Sequence, residues 1–359
     1  MVLEIRTLIK STEAEMRIVV TGGAGYIGSH TARALHRLGH DVIIYDNLST
    51  GYASFANGFQ FILGDIGDKT RMLPALSGAD AVMHFAACAS VAESVSDPGK
   101  YFDNNVRAGL CLLDAIRQVR IPYFVFSSSC TVYGLPRTTP ITEETPCEPI
   151  NAYGVSKLFF ERALAAYQEA HGLRFVSFRY FNAAGADESC EIGERHDPES
   201  HLIPIALEVA AGARPRLSIY GNDYPTKDGT CLRDYVHVND IADAHLRALK
   251  YLLSGGKSGP MNLGTGRGYT VNEVISAVEN VTGRTLERVY CSRRPGDVAE
   301  LVADPTRAEM MLQWRSSRSL NSIIESAWEW YQGCYAHPVD LEERVKPGFS
   351  NANRAGSYG

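Results

Sequence analysis

The first half of the chain alternates two hydrophobic patterns. Short runs of β-branched and aromatic residues, which favour buried strands, are separated by longer segments whose apolar residues recur every three or four positions, as on one face of a helix. The predicted strands are 17–21, 41–45, 59–63, 80–85, 123–126 and 174–179. The main predicted helices between them are 27–38, 98–119 and 153–168. This alternation predicts an α/β fold with a doubly wound parallel sheet of the Rossmann type, which binds ligands at the carboxyl ends of its strands.

A glycine-rich loop joins the first predicted strand to the first predicted helix. It reads Thr21-Gly-Gly-Ala-Gly-Tyr-Ile-Gly28, so Tyr26 and Ile27 lie inside it. Gly22 permits a tight turn, Gly25 lets the backbone approach a pyrophosphate, and Gly28 lets the helix pack close to the strand. A purely structural turn is the alternative. The position between strand and helix favours a dinucleotide site, because the free N–H groups of the helix start attract phosphate.

Asp46 ends the second predicted strand, 18 residues after Gly28. A carboxylate at this place can accept hydrogen bonds from an adenosine ribose, whereas a 2′-phosphate would meet like charge. Asn47, Leu48 and Ser49 follow without a basic residue, so the sequence predicts NAD rather than NADP. Asp65, after the third strand, is placed to meet an adenine edge, and a turn-capping role is an equal alternative.

The second half of the chain has a mixed and more polar pattern. Helices are predicted at 201–211, 239–253, 270–282 and 319–332, and strands at 217–220, 231–238 and 260–263. The expected organisation is an N-terminal extension (1–15), a nucleotide-binding domain (16–181, rejoined by about 231–264), a smaller mixed α/β substrate lobe (182–230 and 265–335) and a polar tail (336–359).

Tyr153 and Lys157 are four residues apart and therefore lie on one face of the predicted helix. An ammonium group beside a phenol stabilises the phenolate, so we expect Lys157 to lower the pKa of Tyr153 and to make it a general base. Ser129, at the end of the fifth strand, can reach the same substrate hydroxyl. An ordinary amphipathic helix and a capping serine are the alternatives.

Composition excludes several function classes. The net charge is −6, so nothing favours binding to nucleic acid or to an anionic membrane. No apolar run is long enough to cross a bilayer and no export signal is evident, which predicts a cytoplasmic protein. The eight cysteines form no Cys-x-x-Cys pair and no zinc-like spacing, so reduced thiols and no metal site are expected. In the second half, Arg233 and Arg294 suit a phosphorylated ligand, with ion pairing as an even alternative.

Taken together, residues of about 16–335 resemble the extended short-chain dehydrogenase/reductase family, and more narrowly its NAD-dependent UDP-sugar 4-epimerases. The motifs that carry this resemblance are Thr21-Gly-Gly-Ala-Gly-Tyr-Ile-Gly-Ser-His30, Tyr45-Asp-Asn-Leu48, His84-Phe-Ala-Ala87, Ser127-Ser-Ser-Cys-Thr-Val-Tyr-Gly134, Tyr153-Gly-Val-Ser-Lys157, Arg179-Tyr-Phe-Asn182, Gly221-Asn-Asp-Tyr-Pro-Thr226, Asp228-Gly-Thr230, Arg233-Asp-Tyr235 and Arg294-Pro-Gly-Asp297.

The resemblance implies a 4-epimerase of UDP-hexoses, UDP-glucose and UDP-galactose, that works through a transient 4-keto sugar and NADH. Tyr153 would remove the proton of the 4′-OH, with Ser129 and Lys157 as its partners. Further cofactor contacts are expected from Asn47, Ile66, Phe85, Ala86, Ala87, Asn105, Ser127 and Tyr180. Substrate contacts are expected from Ser129, Tyr153, Asn182, His201, Leu202, Tyr220, Arg233, Arg294 and Asp297. The resemblance also implies a homodimer, paired through helices near 98–118 and 152–170.

Some positions depart from relatives in this family. Cys130 and Thr131 stand where the 4,6-dehydratases carry an Asp-Glu pair, which disfavours dehydration. Ala89 stands in place of a lysine, His201 in place of an asparagine that donates to the diphosphate, and Leu301 in place of a pocket-limiting tyrosine. UDP-GlcNAc, UDP-xylose/UDP-arabinose and UDP-uronate therefore stay open as alternative substrates. A non-catalytic NAD-binding regulator is a distant alternative, since such proteins commonly lose the Tyr or the Lys.

Overall fold

The computed structural model describes residues 15–294 and 296–335. The predicted N-terminal extension, apart from Glu15, and the predicted polar tail lie outside the described residues. The strands are Arg17–Thr21 (β1), Asp41–Asp46 (β2), Gln60–Leu63 (β3), Ala81–His84 (β4), Tyr123–Ser127 (β5), Arg174–Tyr180 (β6), Asn182–Ala184 (β7), Leu217–Tyr220 (β8), Leu232–His237 (β9), Gly259–Leu263 (β10), Gly268–Thr270 (β11), Arg288–Cys291 (β12) and Glu300–Leu301 (β13).

The helices connect these strands. The α-helices are Tyr26–Arg37, Lys69–Leu76, Val91–Ser96, Pro98–Tyr101, Gly109–Val119, Ala152–His171, Leu202–Ala210, Val238–Leu253, Val271–Thr282, Thr306–Leu312 and Leu320–Tyr335. Two 3₁₀ turns, Ala53–Ala56 and Cys130–Tyr133, and one π-helical segment, Phe102–Ala108, complete the regular structure of the described residues.

Seven strands form one parallel sheet in the order β10-β6-β5-β4-β1-β2-β3. Six of them follow the dinucleotide-binding order, and β10 extends the edge beside β6. The predicted doubly wound parallel sheet is confirmed. Because the strands are parallel, their carboxyl ends meet at a single edge, where the predicted glycine loop, Asp46 and the serines all lie.

Apolar side chains of the central strand alternate between the two faces of this sheet. Ile18 and Val20 pack into one cluster, against the helices Tyr26–Arg37 and Val238–Leu253. Val19 points the other way, into a cluster that includes Met72, Leu112 and Phe160. Each face is therefore covered by helices, as burial of a parallel sheet requires.

The predicted helix 98–119 contains a π-helical segment at Phe102–Ala108. Such a segment adds a residue per turn and re-aims the side chains it carries. Asn105 points inward from it: its Oδ1 accepts from the N–H of Cys88 at 2.8 Å, and its Nδ2 donates to the Cys88 carbonyl and to the Ser156 hydroxyl at 3.0 Å each. Asn105 thus acts as a clamp: its hydrogen bonds join the loop that follows β4 to the π-helical segment and to the helix that carries Ser156.

The second half builds a smaller lobe around β9, which pairs with β7, β11 and β13, while β8 pairs with β12. The helices Leu202–Ala210, Val271–Thr282 and Leu320–Tyr335 share an apolar cluster beside these strands. Two segments pack with the other predicted domain. Ala308, Leu312 and Trp314, which are predicted to belong to the lobe, pack into the apolar cluster of the large sheet. Strand β9, which is predicted to belong to the nucleotide-binding domain, pairs with strands of the lobe. The division into domains stays a prediction.

Within residues 15–294 and 296–335, no helix combines the length and the apolar character needed to cross a bilayer.

Candidate active site

A cavity of about 400 Å³ lies between the carboxyl edge of the large sheet and the lobe. It gathers catalytic, cofactor and substrate residues predicted from distant parts of the sequence. Those lining it are Gly22, Gly25, Tyr26, Ile27, Gly28, Phe85, Ala87, Ser127, Ser129, Tyr153, Lys157, Tyr180, Asn182, His201 and Leu202. A second cavity of about 80 Å³ shares Gly22, Gly25, Phe85 and Ala87 with the first. It adds Asp46, Asn47, Ile66 and Ala86, so the two cavities adjoin along the glycine loop.

At two positions of the loop only glycine fits, because other backbone atoms lie too close to leave room for a Cβ. Gly22 has a φ of +72°, and a Cβ there would lie 2.7 Å from the carbonyl carbon of Phe85. A Cβ on Gly28 would overlap the carbonyl oxygen of Gly22. Gly25 differs, because the nearest atom to its added Cβ is the Gly22 oxygen at 3.3 Å and the residue lines both cavities. It is also the N-cap of the helix Tyr26–Arg37, so no side chain occupies the N–H groups at the helix start.

Asp46 is almost fully buried at the end of β2. Its carboxylate accepts from the N–H of Ala24 at 3.0 Å and from the N–H of Leu48 at 2.8 Å. Burial raises its pKa, and these backbone bonds oppose the rise. The two carboxylate oxygens retain lone pairs for ribose hydroxyls in the second cavity. The glycine cradle and this carboxylate fit an adenine dinucleotide without a 2′-phosphate.

Asp65 serves the turn after β3. Its carboxylate accepts from the N–H of Gly67 at 2.8 Å and from the Asn47 side-chain amide at 3.0 Å. The structure therefore shows the turn-capping role, and Asp65 lines neither cavity. A direct contact with adenine stays a prediction.

The helix Ala152–His171 presents the proposed catalytic pair to the cavity. Asn151 caps its start by accepting from the N–H of Gly154 at 2.8 Å. The ammonium of Lys157 donates to the Ser127 carbonyl at 2.7 Å and lies 5.7 Å from the centre of the Tyr153 ring. The Ser129 hydroxyl accepts from Thr131, from its N–H at 3.2 Å and from its hydroxyl at 3.0 Å.

The structure does not show the expected lowering of the Tyr153 pKa. Burial raises the pKa of Tyr153 to about 12, although a hydrogen bond with Ser129 opposes the rise. Burial also lowers the pKa of Lys157 to about 7. The four-residue spacing predicts the attraction between phenolate and ammonium, but the cost of burying each charge dominates here.

A buried ionic network lies behind the serines, and the sequence reasoning missed it. Ser128 donates to Glu161 at 2.5 Å, and the Arg179 guanidinium donates to both oxygens of the same carboxylate, at 3.0 and 2.6 Å. Arg179 also donates to the Tyr133 hydroxyl at 3.0 Å. A sequence signal existed, because Glu161 continues the four-residue spacing of Tyr153 and Lys157 on a face that the fold buries.

The lobe supplies the opposite wall of the cavity. Asn182 begins β7 and is hydrogen-bonded with Tyr235, while the Tyr180 hydroxyl lies 2.7 Å from Nε2 of His245. His201 occupies the N-cap position of the helix Leu202–Ala210 without a capping hydrogen bond from its side chain, which is more than half exposed and lines the cavity. Glu194 and His196 line this wall as well. The sequence reasoning missed both, although four Glu and His residues fall within 194–201.

Six predicted site residues line neither cavity: Asp65, Asn105, Tyr220, Arg233, Arg294 and Asp297. Asn105 acts instead through the clamp described above. The Arg294 guanidinium lies 3.9 Å from the centre of the Tyr220 ring. Arg233 donates to the carbonyls of Leu232 and Val298 at 2.9 Å each.

The nearest atoms of the Arg233 and Asp297 side chains are 3.7 Å apart. The expected convergence of the two arginines on one cavity is therefore not found, since Arg233 is held by backbone carbonyls and Arg294 is exposed on an aromatic ring. Their contacts with a diphosphate stay a prediction.

The sheet order, the uncapped glycine-rich helix start, the buried ribose-type carboxylate and the Tyr–Lys pair beside them define a dinucleotide-dependent class of enzyme fold. The model of the NAD dependent epimerase/dehydratase family matches residues 18–264. The chain belongs to this family.

Several known proteins are similar over nearly their whole length. The chain is 48% identical to a UDP-glucose 4-epimerase of Rhizobium meliloti (strain 1021), over 88% of this chain and 96% of that protein. The crystal structure of UDP-glucose 4-epimerase from Brucella ovis in complex with NAD has a TM-score of 0.86 and 47% identity, covering 88% of this chain and 98% of that one. The enzyme of Bifidobacterium longum, solved with NAD⁺ and UDP, has a TM-score of 0.84 and 38% identity, again covering 88% and 98%.

Proposed function

We propose that the protein is an NAD-dependent 4-epimerase of UDP-hexoses that interconverts UDP-glucose and UDP-galactose. The observation that carries this proposal is the convergence of Tyr153, Lys157 and Ser129 on the cavity beside the glycine loop. Cys130 and Thr131, next to Ser129, offer no carboxylic acid for an elimination, so the site supports a reversible oxidation at one sugar carbon, with the proton exchanged at the hydroxyl oxygen of that carbon. The likeness to UDP-glucose 4-epimerases supports the same reaction.

The residues that line the two cavities along the glycine loop, together with Asp46, would hold NAD, which would supply a reversible acceptor and donor of the hydride of the 4′ carbon. Tyr153 removes the proton of the 4′-OH and gives it back to the keto oxygen, while Ser129 donates a hydrogen bond to that oxygen. Lys157 holds the ribose beside Tyr153 and, when charged, favours the phenolate. Burial raises the pKa of Tyr153 and its hydrogen bond with Ser129 lowers it, so Ser129 helps to activate this base.

The test is Tyr153→Phe, which removes one hydroxyl from the cavity. We expect kcat to fall roughly 10²- to 10⁴-fold, the usual contribution of a general base, with NAD still bound. Tyr167→Phe is the matched control, because Tyr167 lies on the same helix with its ring packed on His171. A Tyr153→Phe protein with wild-type turnover would refute the mechanism.

The identity of the sugar is tested by assaying UDP-glucose, UDP-GlcNAc, UDP-xylose and UDP-glucuronate with one preparation. Leu301 packs against an apolar cluster that includes Phe181, and Phe181 lines the cavity. Because Leu301 is smaller than tyrosine, it leaves space behind Phe181 on the lobe side of the cavity. Turnover of UDP-glucose without turnover of UDP-GlcNAc would exclude tolerance of an N-acetyl group.

A homodimer and a cytoplasmic location remain part of this proposal. Apolar side chains are exposed on the helical segments predicted to pair: Phe102 is 42%, Val155 38% and Phe159 46% exposed. Association would remove this apolar surface from water. Light scattering should give the mass of two chains, and Phe159→Glu should halve it, whereas Leu253→Glu, which changes an exposed leucine of another helix, should not. A wild-type mass of one chain would rule out the dimer.

A further inference from the structure

One loop on the lobe side of the cavity brings four metal-type ligands together. We call them the 194–201 cluster, formed by Glu194, His196, Glu199 and His201. Each offers one ligand atom, and these atoms all lie within 4.8 Å of one another. The spacing of cysteines and histidines does not reveal this cluster, because two of its four ligands are carboxylates. The segment also lacks the regular secondary structure from which the relative positions of its side chains could be predicted.

The distances within the cluster resemble those around a metal ion. Nδ1 of His196 lies 3.5 Å from a carboxylate oxygen of Glu194 and 3.5 Å from one of Glu199. Nδ1 of His201 lies 2.8 and 3.3 Å from the same two carboxylates. A tetrahedral Zn²⁺ ion with bonds of about 2.1 Å holds its donor atoms roughly 3.4 Å apart. Both separations from Nδ1 of His196 are close to that edge, and the 2.8 Å separation between Nδ1 of His201 and Glu194 is a hydrogen-bond distance.

The burial of these side chains is a second, independent indication that the cluster holds an ion. The Glu194 and Glu199 side chains are only 7% and 3% exposed, so two carboxylates face each other away from solvent. Buried like charges need positive charge beside them. Against the effect of burial, Glu194 and Glu199 raise the pKa of His201 to about 10, so a proton on this imidazole supplies that charge, and a metal ion on Nδ1 would take the place of the proton. The Nδ1 atom of His196 is buried and has no hydrogen-bond partner among the described residues. Buried polar atoms are nearly always paired, so this nitrogen points to a ligand between it and the carboxylates.

We infer that the 194–201 cluster binds one divalent transition-metal ion of the Zn²⁺ type. Two imidazole nitrogens with two carboxylates favour Zn²⁺ or Co²⁺, whereas Mg²⁺ and Ca²⁺ prefer oxygen ligands alone. The ion would join the two ends of the 194–201 loop directly before the helix Leu202–Ala210. Its role is to hold this wall of the cavity, not to take part in the proposed proton transfer.

The experiment uses the full chain with NAD bound and without a polyhistidine tag. After treatment with a chelator, the protein is titrated with Zn²⁺ against a chromophoric chelator and with Co²⁺ by absorption spectroscopy. We expect one ion per chain, the ligand-field absorption of tetrahedral Co²⁺, and a higher melting temperature with Zn²⁺ than without it. Each measurement is made without substrate, so it is independent of the epimerase activity.

His196→Ala should weaken Zn²⁺ binding at least about 100-fold, in the range seen when a ligand or its support is removed. Glu199→Gln should also weaken it, and the exposed His201→Ala provides a milder change in case a buried variant does not fold. His171→Ala, on the surface at the end of another helix, should bind Zn²⁺ as the wild type does. Two results would overturn the inference: no stoichiometric ion in the wild type, which would mean that a shared proton fills the cluster, or equal binding by all the variants.

Discussion

The two walls of the cavity are built by different means. The sheet wall consists of strand ends, a glycine loop and one helix, and most of its contacts are made by backbone or by side chains locked to backbone, such as Lys157 on the Ser127 carbonyl. The lobe wall consists of loops and short strands, and charged side chains such as Glu194 and His201 line it. The sheet wall can therefore hold a cofactor rigidly, while the lobe wall can be adjusted to a particular substrate without changing the fold.

The largest expected effect comes from removing the ionic support of the sheet wall. Glu161→Ala leaves the buried Arg179 guanidinium without its carboxylate and Ser128 without its acceptor. Breaking one partner of a buried pair costs about 3–5 kcal/mol, so the free energy of unfolding should fall by that amount in urea denaturation. Glu169→Ala, at an exposed position of the same helix, is the control and should change little. If the two variants were equally stable, the network would not support this wall.

A second prediction separates two glycines of the loop. A methyl group at Gly28 would overlap the Gly22 oxygen, whereas at Gly25 it meets that oxygen only at 3.3 Å. Gly28→Ala should therefore lower the free energy of unfolding by about 1–3 kcal/mol, the usual cost of overpacking. Gly25→Ala should keep the stability and lose affinity for NAD, because its side chain enters the cavity. Denaturation and NAD titration of both variants test this prediction. A loss of stability in Gly25→Ala and a loss of NAD affinity alone in Gly28→Ala would contradict the roles given to these two glycines.

Substitutions in the lobe should affect the binding of substrate without affecting the binding of cofactor, including at Arg294, which lies outside the cavity wall. Arg294→Met removes a cation that we expect to contact the diphosphate, and hydrogen bonds to charged groups contribute about 1.5–3 kcal/mol, which is roughly a 10- to 100-fold loss of UDP affinity. Affinity for NAD should be unchanged. Arg284→Met, an exposed arginine of the same lobe, is the matched control. If Arg294→Met bound UDP as the wild type does, Arg294 would not contact the diphosphate, and its contact with the Tyr220 ring would be its only role in this prediction.

The same contrast explains what could be predicted from the sequence. Hydrophobic periodicity is local, so the strands of the large sheet, the glycine loop and the placement of Asp46 followed from short segments. Asn105 was singled out, but its clamp depends on a π-helical segment that no periodicity reveals. The strands Asn182–Ala184 and Glu300–Leu301 are too short for a pattern and exist because both pair with β9. The 194–201 cluster and the pKa of Tyr153 depend on burial, which only the folded chain determines.

The smallest expected effect concerns acid, and it acts on the sheet wall. Burial lowers the pKa of His84 to about 3 and that of His245 to about 4, and His245 contacts the hydroxyl of Tyr180. In the unfolded chain both imidazoles take up a proton near their usual pKa of about 6.5. Between about pH 6.5 and pH 4 the unfolded state therefore binds more protons than the native state, so stability falls as the pH falls.

At about pH 5 each histidine should cost about 1–2 kcal/mol relative to pH 7, in free energies of unfolding measured by denaturant titration at both values. His245→Gln should be less stable at pH 7, since it alters the contact with Tyr180, but should lose less on acidification than the wild type. His171→Gln, which changes an exposed imidazole, should keep the wild-type difference between the two pH values. An unaltered difference in His245→Gln would mean that this imidazole is already protonated in the native wall, and the sheet wall would then be less apolar than its burial indicates.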